Sequence, residues 1–210
     1  MSVMSIQEEK LKKLVKAAAE QVIASAPKLT ALDQAIGDGD HGTNMKRGFE
    51  AVLGKLDAIA AQPLDEAFKS IGKTLVMTVG GASGPLYGSF FMAVGDALSR
   101  DKQLPEDLAD VFGSGVGAVS TRGRSQPGEK TMLDVLVPVL ATLQADAGRP
   151  DLIARVRATA SDALARTAPM QATKGRASFL GARSIGHVDP GAQSSCVLLH
   201  AVCDTLEARP

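Results

Sequence analysis

Apolar residues recur at helical spacing along nearly the whole chain, and no stretch alternates apolar with polar in the two-residue rhythm of a strand. Leu11, Leu14, Val15, Ala18, Val22 and Ile23 form one stripe with lysines and glutamates opposite. That pattern predicts a helix over 6–26, ended by Pro27. Met45, Phe49, Val52, Leu53 and Leu56 carry the period through 43–60. A third helix opens at Pro63, with Asp65 and Glu66 in its first turn, and runs to Val79 before Gly80-Gly81. Further helices are expected from Pro85 to Arg100, over 105–120, over 130–145 with a kink at Pro138, over 150–167 and over 190–208. The expected fold class is all-α, with about eight helices in one domain spanning 1–210.

Composition narrows the function classes. Lysines and arginines equal aspartates and glutamates at 23 each, aromatics make up 3%, and tryptophan is absent. Neither a basic footprint nor a base-stacking surface is present, so a nucleic-acid partner is not expected. No apolar run reaches the ~18 residues of a membrane span, and the N-terminus lacks a signal-peptide core. A soluble cytoplasmic protein with no membrane role is therefore expected. Cys196 and Cys203 fall on one helix, about 10 Å apart by helical rise, beyond disulfide reach. Both read as buried packing cysteines.

Four loops carry more polar chemistry than turns require. In "LDQAIGDGDHGTNM" (32–45), Asp33, Asp38 and Asp40 are separated by Gly37 and Gly39, which free the backbone to turn three carboxylates inward. Three close like charges need cations among them, and oxygen donors without cysteine suit magnesium, calcium or manganese. Magnesium keeps positions open for phosphate, so a nucleotide is its natural companion. His41, Gly42, Thr43 and Asn44 then open a helix whose free amides face the same space. A helix cap with solvated acids fits the same residues.

"VGGASGPLYGS" (79–89) is a small-residue turn running into a helix, able to cradle phosphate on its amides with Ser83 as a side-chain donor. It fits a flexible turn equally well, and Tyr87, Phe90 and Phe91 read as core. "STRGRSQPGEKTMLDVL" (120–136) allows Gly123 and Met132 to line an adenine pocket and Lys130 to meet phosphate, or simply forms a basic turn before a capped helix. The long stretch "APMQATKGRASFLGARSIGHVDPGAQSS" (168–195) exceeds the usual connection of about 4–6 residues. Phe179, Leu180 and Ile185 are expected to anchor it, while Lys174, Arg176 and Arg183 supply cations. Asp189-Pro190-Gly191 makes a tight turn at the last helix start. His41 and His187 stand beside aspartates, without a convincing nucleophile pattern around either.

Taken in order, LDQAIGDGDHGTNMKRGF, VGGASGPLYGSFF, RGRSQPGEKTMLDVLVP and QATKGRASFLGARSIGHVDPGAQSS resemble the nucleotide-binding L subunits of dihydroxyacetone kinases. The resemblance implies a barrel of eight antiparallel helices with the nucleotide held by loops gathered at one end. It implies two magnesium ions on Asp33, Asp38 and Asp40, and phosphate contacts from His41 to Asn44 and from Ala82-Ser83. Gly123, Met132, Arg176 and Asp189 to Gly191 would surround the rest of an ADP or ATP. The implied reaction ends on dihydroxyacetone held by a separate K subunit, and no catalytic residue is assigned to this chain. ADP retained and rephosphorylated by a phosphohistidine carrier protein (an M subunit) of the phosphotransferase system is the favoured version. An ATP-consuming kinase for dihydroxyacetone or another short ketose or tetrose is the alternative, and homodimer formation is left open. A nucleotide-binding regulatory module and a metallohydrolase are the readings from other classes.

Overall fold

The computed structural model describes residues 3–99 and 104–208. Among them every regular element is helical, in the order α1 (Val3–Ile36), α2 (His41–Leu53), α3 (Leu56–Ala60), α4 (Leu64–Thr78), α5 (Ser83–Leu98), α6 (Leu108–Gly123), α7 (Leu133–Ala145), α8 (Leu152–Thr167) and α9 (Pro190–Glu207). A 3-10 segment, Arg176–Ser184, interrupts the connection from α8 to α9. None of the described helices is long and apolar enough to cross a membrane.

Packing follows chain order. α1 lies on α2, α2 on α4, α4 on α5, and so on to α8 on α9, and α9 returns to pack on α1. One cluster of buried residues joins Val22, Leu29, Met45, Phe49, Leu75 and Leu133. A second, around Val139, Ala160 and Cys196, seals α7, α8 and α9 together. Tyr87, Phe90 and Phe91 belong to or pack on the first cluster, as the sequence suggests. Cys196 and Cys203 are buried and unpaired on α9, and burial pushes the Cys196 thiol up to about 11, far from reactivity.

Several boundaries differ from expectation, α6 lying three residues later than the expected 105–120. Pro27 does not end the first helix; α1 continues through it to Ile36 and is 34 residues long in all. An interior proline costs roughly 3 kcal/mol, but Val22 before it and Leu29 after it are both fully buried. Breaking the helix would forfeit one of those anchors. The segment 43–60 is two helices, because the chain turns at Gly54-Lys55. The helix expected from 130 begins at Leu133, with Glu129 to Met132 in a turn, and it accommodates Pro138 inside. Arg100, the expected end of α5, lies outside the described residues.

α4 and α5 meet backbone to backbone. A Cβ at Gly72 would stand 2.7 Å from the Gly88 carbonyl oxygen, and one at Gly88 would stand 2.9 Å from that of Gly72. This close approach sets the separation of the two helices that flank the turn 79–82.

Candidate functional site

The loops between α1 and α2, α4 and α5, α6 and α7, and α8 and α9 enclose a cleft of about 450 Å³, a size usual for a small-molecule site. Its acidic wall begins where α1 ends. The Asp33 carboxylate is buried and accepts the His41 main-chain N–H at 3.0 Å. Gly39, at φ +76°, takes a left-handed conformation that swings the chain around, and one carboxylate oxygen from each of Asp33, Asp38 and Asp40 then lies within 4.8 Å of the others. Three carboxylates so close repel one another, and their hard oxygens fit a divalent cation such as magnesium. From across the cleft, Arg176 Nη2 reaches Asp38 Oδ2 at 2.9 Å.

Beside that wall runs the turn Gly80–Ala82, followed by the start of α5 at Ser83. The first amides of a helix have no intrahelical acceptor, so this end offers free donors and a positive dipole to an anion. Ser83 is tied into a buried network. Its hydroxyl lies 3.0 Å from His41 Nδ1, while His41 Nε2 lies 2.9 Å from Ser194 Oγ. Ser194 and Ser195 in turn meet the Tyr87 hydroxyl at 2.7 and 3.0 Å. Burial holds the His41 imidazole below its usual pKa, against the pull of Asp33 and Asp40. A neutral ring can donate at one nitrogen and accept at the other, which suits two hydroxyl partners. Burial also pushes the Tyr87 phenol up to about 12.

The third side is apolar. A Cβ at Gly123 would come within 3.3 Å of Leu86 and 3.0 Å of Ser125, so glycine leaves a flat surface bordered by Leu86, Val119 and Met132. A planar heterocycle fits such a slot. The fourth side is the start of α9. Asp189 caps that helix, its Oδ2 accepting from the Ala192 N–H at 2.7 Å. Burial, with Asp134 nearby, pushes the Asp189 carboxyl up to about 7, although the Ala192 N–H and Lys130 pull the other way.

Twelve of the residues that the resemblance assigns to metal or nucleotide line this one cleft: Asp33, Asp38, Asp40, His41, Ala82, Ser83, Gly123, Met132, Arg176 and Asp189 to Gly191. Gly42, Thr43 and Asn44 do not line it. Gly42 is pressed against Ala26 and Thr30 of α1, and Thr43 borders a separate groove along α1. Asn44 stands behind the glycine turn, where Arg47 holds its Oδ1 at 2.7 Å. His187 is exposed and outside the cleft.

Lys130 departs from expectation. The residue lines the cleft, but its ammonium is buried and bonded to main-chain carbonyls at the end of α8 and in the long connection. Phe179 is not an anchor either, being 88% exposed, and Ile185 is 46% exposed. Leu180 alone of the three packs inward, against Ile36, Ala172 and Ala177. The sequence reading also passed over Leu86, Val119, Ser194 and Ser195. Spacing held a signal for two of them, since Val119 is one helical turn before Gly123 and Leu86 follows Ser83 by three.

The model of the DAK2 domain matches residues 35–204. The chain belongs to the DAK2 family. Among DAK2 relatives, the ADP-binding subunit DhaL of PEP-dependent dihydroxyacetone kinase 1 from Listeria innocua is 44% identical over 186 residues, covering 89% of this chain and 90% of that one. The corresponding subunit of PEP-dependent dihydroxyacetone kinase from Escherichia coli is 47% identical over 171 residues, covering 79% and 81%. The solved dihydroxyacetone kinase of C. freundii in complex with AMP-PNP and Mg2+ superimposes with a TM-score of 0.76 at 25% identity. That match covers 92% of this DAK2 chain but only 33% of the solved one.

Proposed function

We propose that this DAK2 protein is the ADP-binding subunit of a dihydroxyacetone kinase, passing a phosphoryl group to dihydroxyacetone held on a separate K-type subunit. The observation that carries the reading is the convergence, in one cleft, of three carboxylates within 4.8 Å, a helix start rich in free amides and an apolar slot. Those three surfaces match the metal-bridged phosphates, the phosphate oxygens and the base of a nucleotide. The two bacterial relatives above, named as ADP-binding subunits, support it.

In this reading Asp33, Asp38 and Asp40 hold two magnesium ions. Bound magnesium supplies positive charge that offsets the charge developing on the transferred phosphoryl group. The chain's own residues do the rest. Amides of the 80–83 turn and the Ser83 hydroxyl orient the phosphates. His41, kept neutral, fixes the Ser83 hydroxyl. Arg176 exchanges its bond with Asp38 for a phosphate oxygen, where a guanidinium gives paired donors. Gly123, Leu86 and Met132 hold the base, and Asp189 to Gly191 close the floor beneath it. The PEP-dependent names of the two relatives support ADP that stays bound and is rephosphorylated by a phosphohistidine carrier protein.

The test is to denature the purified protein and weigh what it releases. ADP and magnesium in a ratio of about one to two per chain is the expected result. A protein that retains neither, and binds neither when both are added, overturns the proposal.

A further inference from the structure

Lys130 is 1% exposed, and its ammonium sits in a cage of main-chain oxygens. Nζ donates to Ser184 O at 2.8 Å, to Thr167 O and Met170 O at 2.9 Å each, and lies 3.3 Å from Ala168 O. An ammonium has three protons, so the three short bonds use them and Ala168 takes a shared fourth contact; its carbonyl is independently satisfied by the Gly186 N–H at 2.8 Å. Thr167 and Ala168 close α8, and Ser184 ends the 3-10 segment. The four carbonyls thus come from the two ends of the stretch that carries Arg176 into the cleft. Lys130 adopts φ +61°, a conformation that costs a side-chain-bearing residue, and this turn aims the side chain at the cage. A lone buried cation is unfavourable unless its bonding is complete, and here it is complete without a carboxylate in direct contact.

We propose that Lys130 is a positioning residue that acts as a tethered cation. Its ammonium ties the two ends of the 168–186 connection together, in the manner of a bound monovalent ion, and thereby places Arg176 and Asp189 in the cleft. The effect on nucleotide affinity rests on the function proposed above; the tie itself does not.

The experiment uses the full-length chain with Lys130→Gln, which keeps a donor but removes the charge, and Lys130→Gly, which relieves the backbone and leaves a channel. Without nucleotide, amide exchange at Ala172, Ile185 and Gly186 should accelerate roughly tenfold or more in both. Magnesium–ADP affinity should fall roughly tenfold or more, since the carbonyls left unpaired reorganise the loop. For Lys130→Gly, ammonium chloride should restore protection and affinity, and sodium chloride of equal ionic strength should not. Wild-type protein labelled with 15N-lysine should show one ammonium signal whose protons exchange far more slowly than those of surface lysines, a result independent of how the variants fold. Unchanged exchange in Lys130→Gln, equal rescue by sodium, a folded Lys130→Gly that ammonium does not rescue, or no slow ammonium signal each overturns the assignment. A wild-type chain that fails to bind ADP while showing the slow signal overturns the proposed function and leaves the tethered cation standing.

Discussion

The acidic loop and the α8–α9 connection face each other across the cleft, joined by the Arg176–Asp38 ion pair. Each gathers oxygen atoms of one electrical sign. In the acidic loop they are carboxylates, two of them on exposed residues, and nothing in the loop's own sequence neutralises them. In the connection they are carbonyls, and Lys130 supplies the balancing charge from within the chain. In the proposed function, one wall is completed by ions that can leave, and the other by a side chain that cannot. The division suits a site that must exchange ions and phosphoryl groups on one side while keeping its geometry on the other.

The comparison is broken most directly at the acidic loop. Asp38→Ala should lower magnesium–ADP affinity by roughly two orders of magnitude or more, because it removes a ligand and the partner of Arg176. Its helical circular dichroism should be unchanged, and the melting temperature of the metal-free protein equal or higher, since one repulsive charge is gone. Gross unfolding would refute the claim that these carboxylates serve a ligand rather than the fold.

Next in size is the response to chelation. Stripping metal and nucleotide should speed exchange in 37–40 by roughly tenfold, while Ala172 and Gly186 keep their protection. Equal loosening of both walls would mean that the connection also depends on the ion. A smaller effect concerns Asp189, which holds its proton up to about 7 when folded, against 3.8 as a free side chain. Between those values the folded state binds the extra proton, so this residue's contribution to stability declines as pH rises from about 4 to about 7. In Asp189→Asn that slope should flatten, as urea titrations of the nucleotide-free protein at several pH values will show. The smallest effect belongs to Phe179→Ala, which should change stability by less than about 0.5 kcal/mol. Leu180→Ala should cost about 1–2 kcal/mol, as a partly buried leucine does.

What was readable in the sequence divides along the same line. The aspartates at 33, 38 and 40 are near neighbours in the chain, so glycine spacing alone announced their convergence. The Lys130 cage is assembled from carbonyls 37 to 54 positions away, and main-chain oxygens leave no mark in a residue pattern. Phe179 and Leu180 were inseparable by composition; only the 3-10 winding, which turns adjacent side chains to different sides, assigns one to solvent and one to Ile36. Pro27 was misread because a local rule was applied where burial on both sides of it, at Val22 and Leu29, decides the outcome. The break at Gly54 was hidden by an apolar period that continues through Leu53 and Leu56.

The contact of Gly72 with Gly88 has a consequence for how fast the cleft can work. Two helices packed this closely, with Met92 over Gly72 and Val76 over Gly88, resist sliding and rolling, so the Gly80–Ala82 turn they flank is held at both ends before any ligand arrives. An incoming phosphate meets donors that need no search for their final arrangement. In the proposed function, capture at this wall would be paced by encounter and by the shedding of water, leaving the slow motions of the cycle to the surfaces where proteins must meet and part.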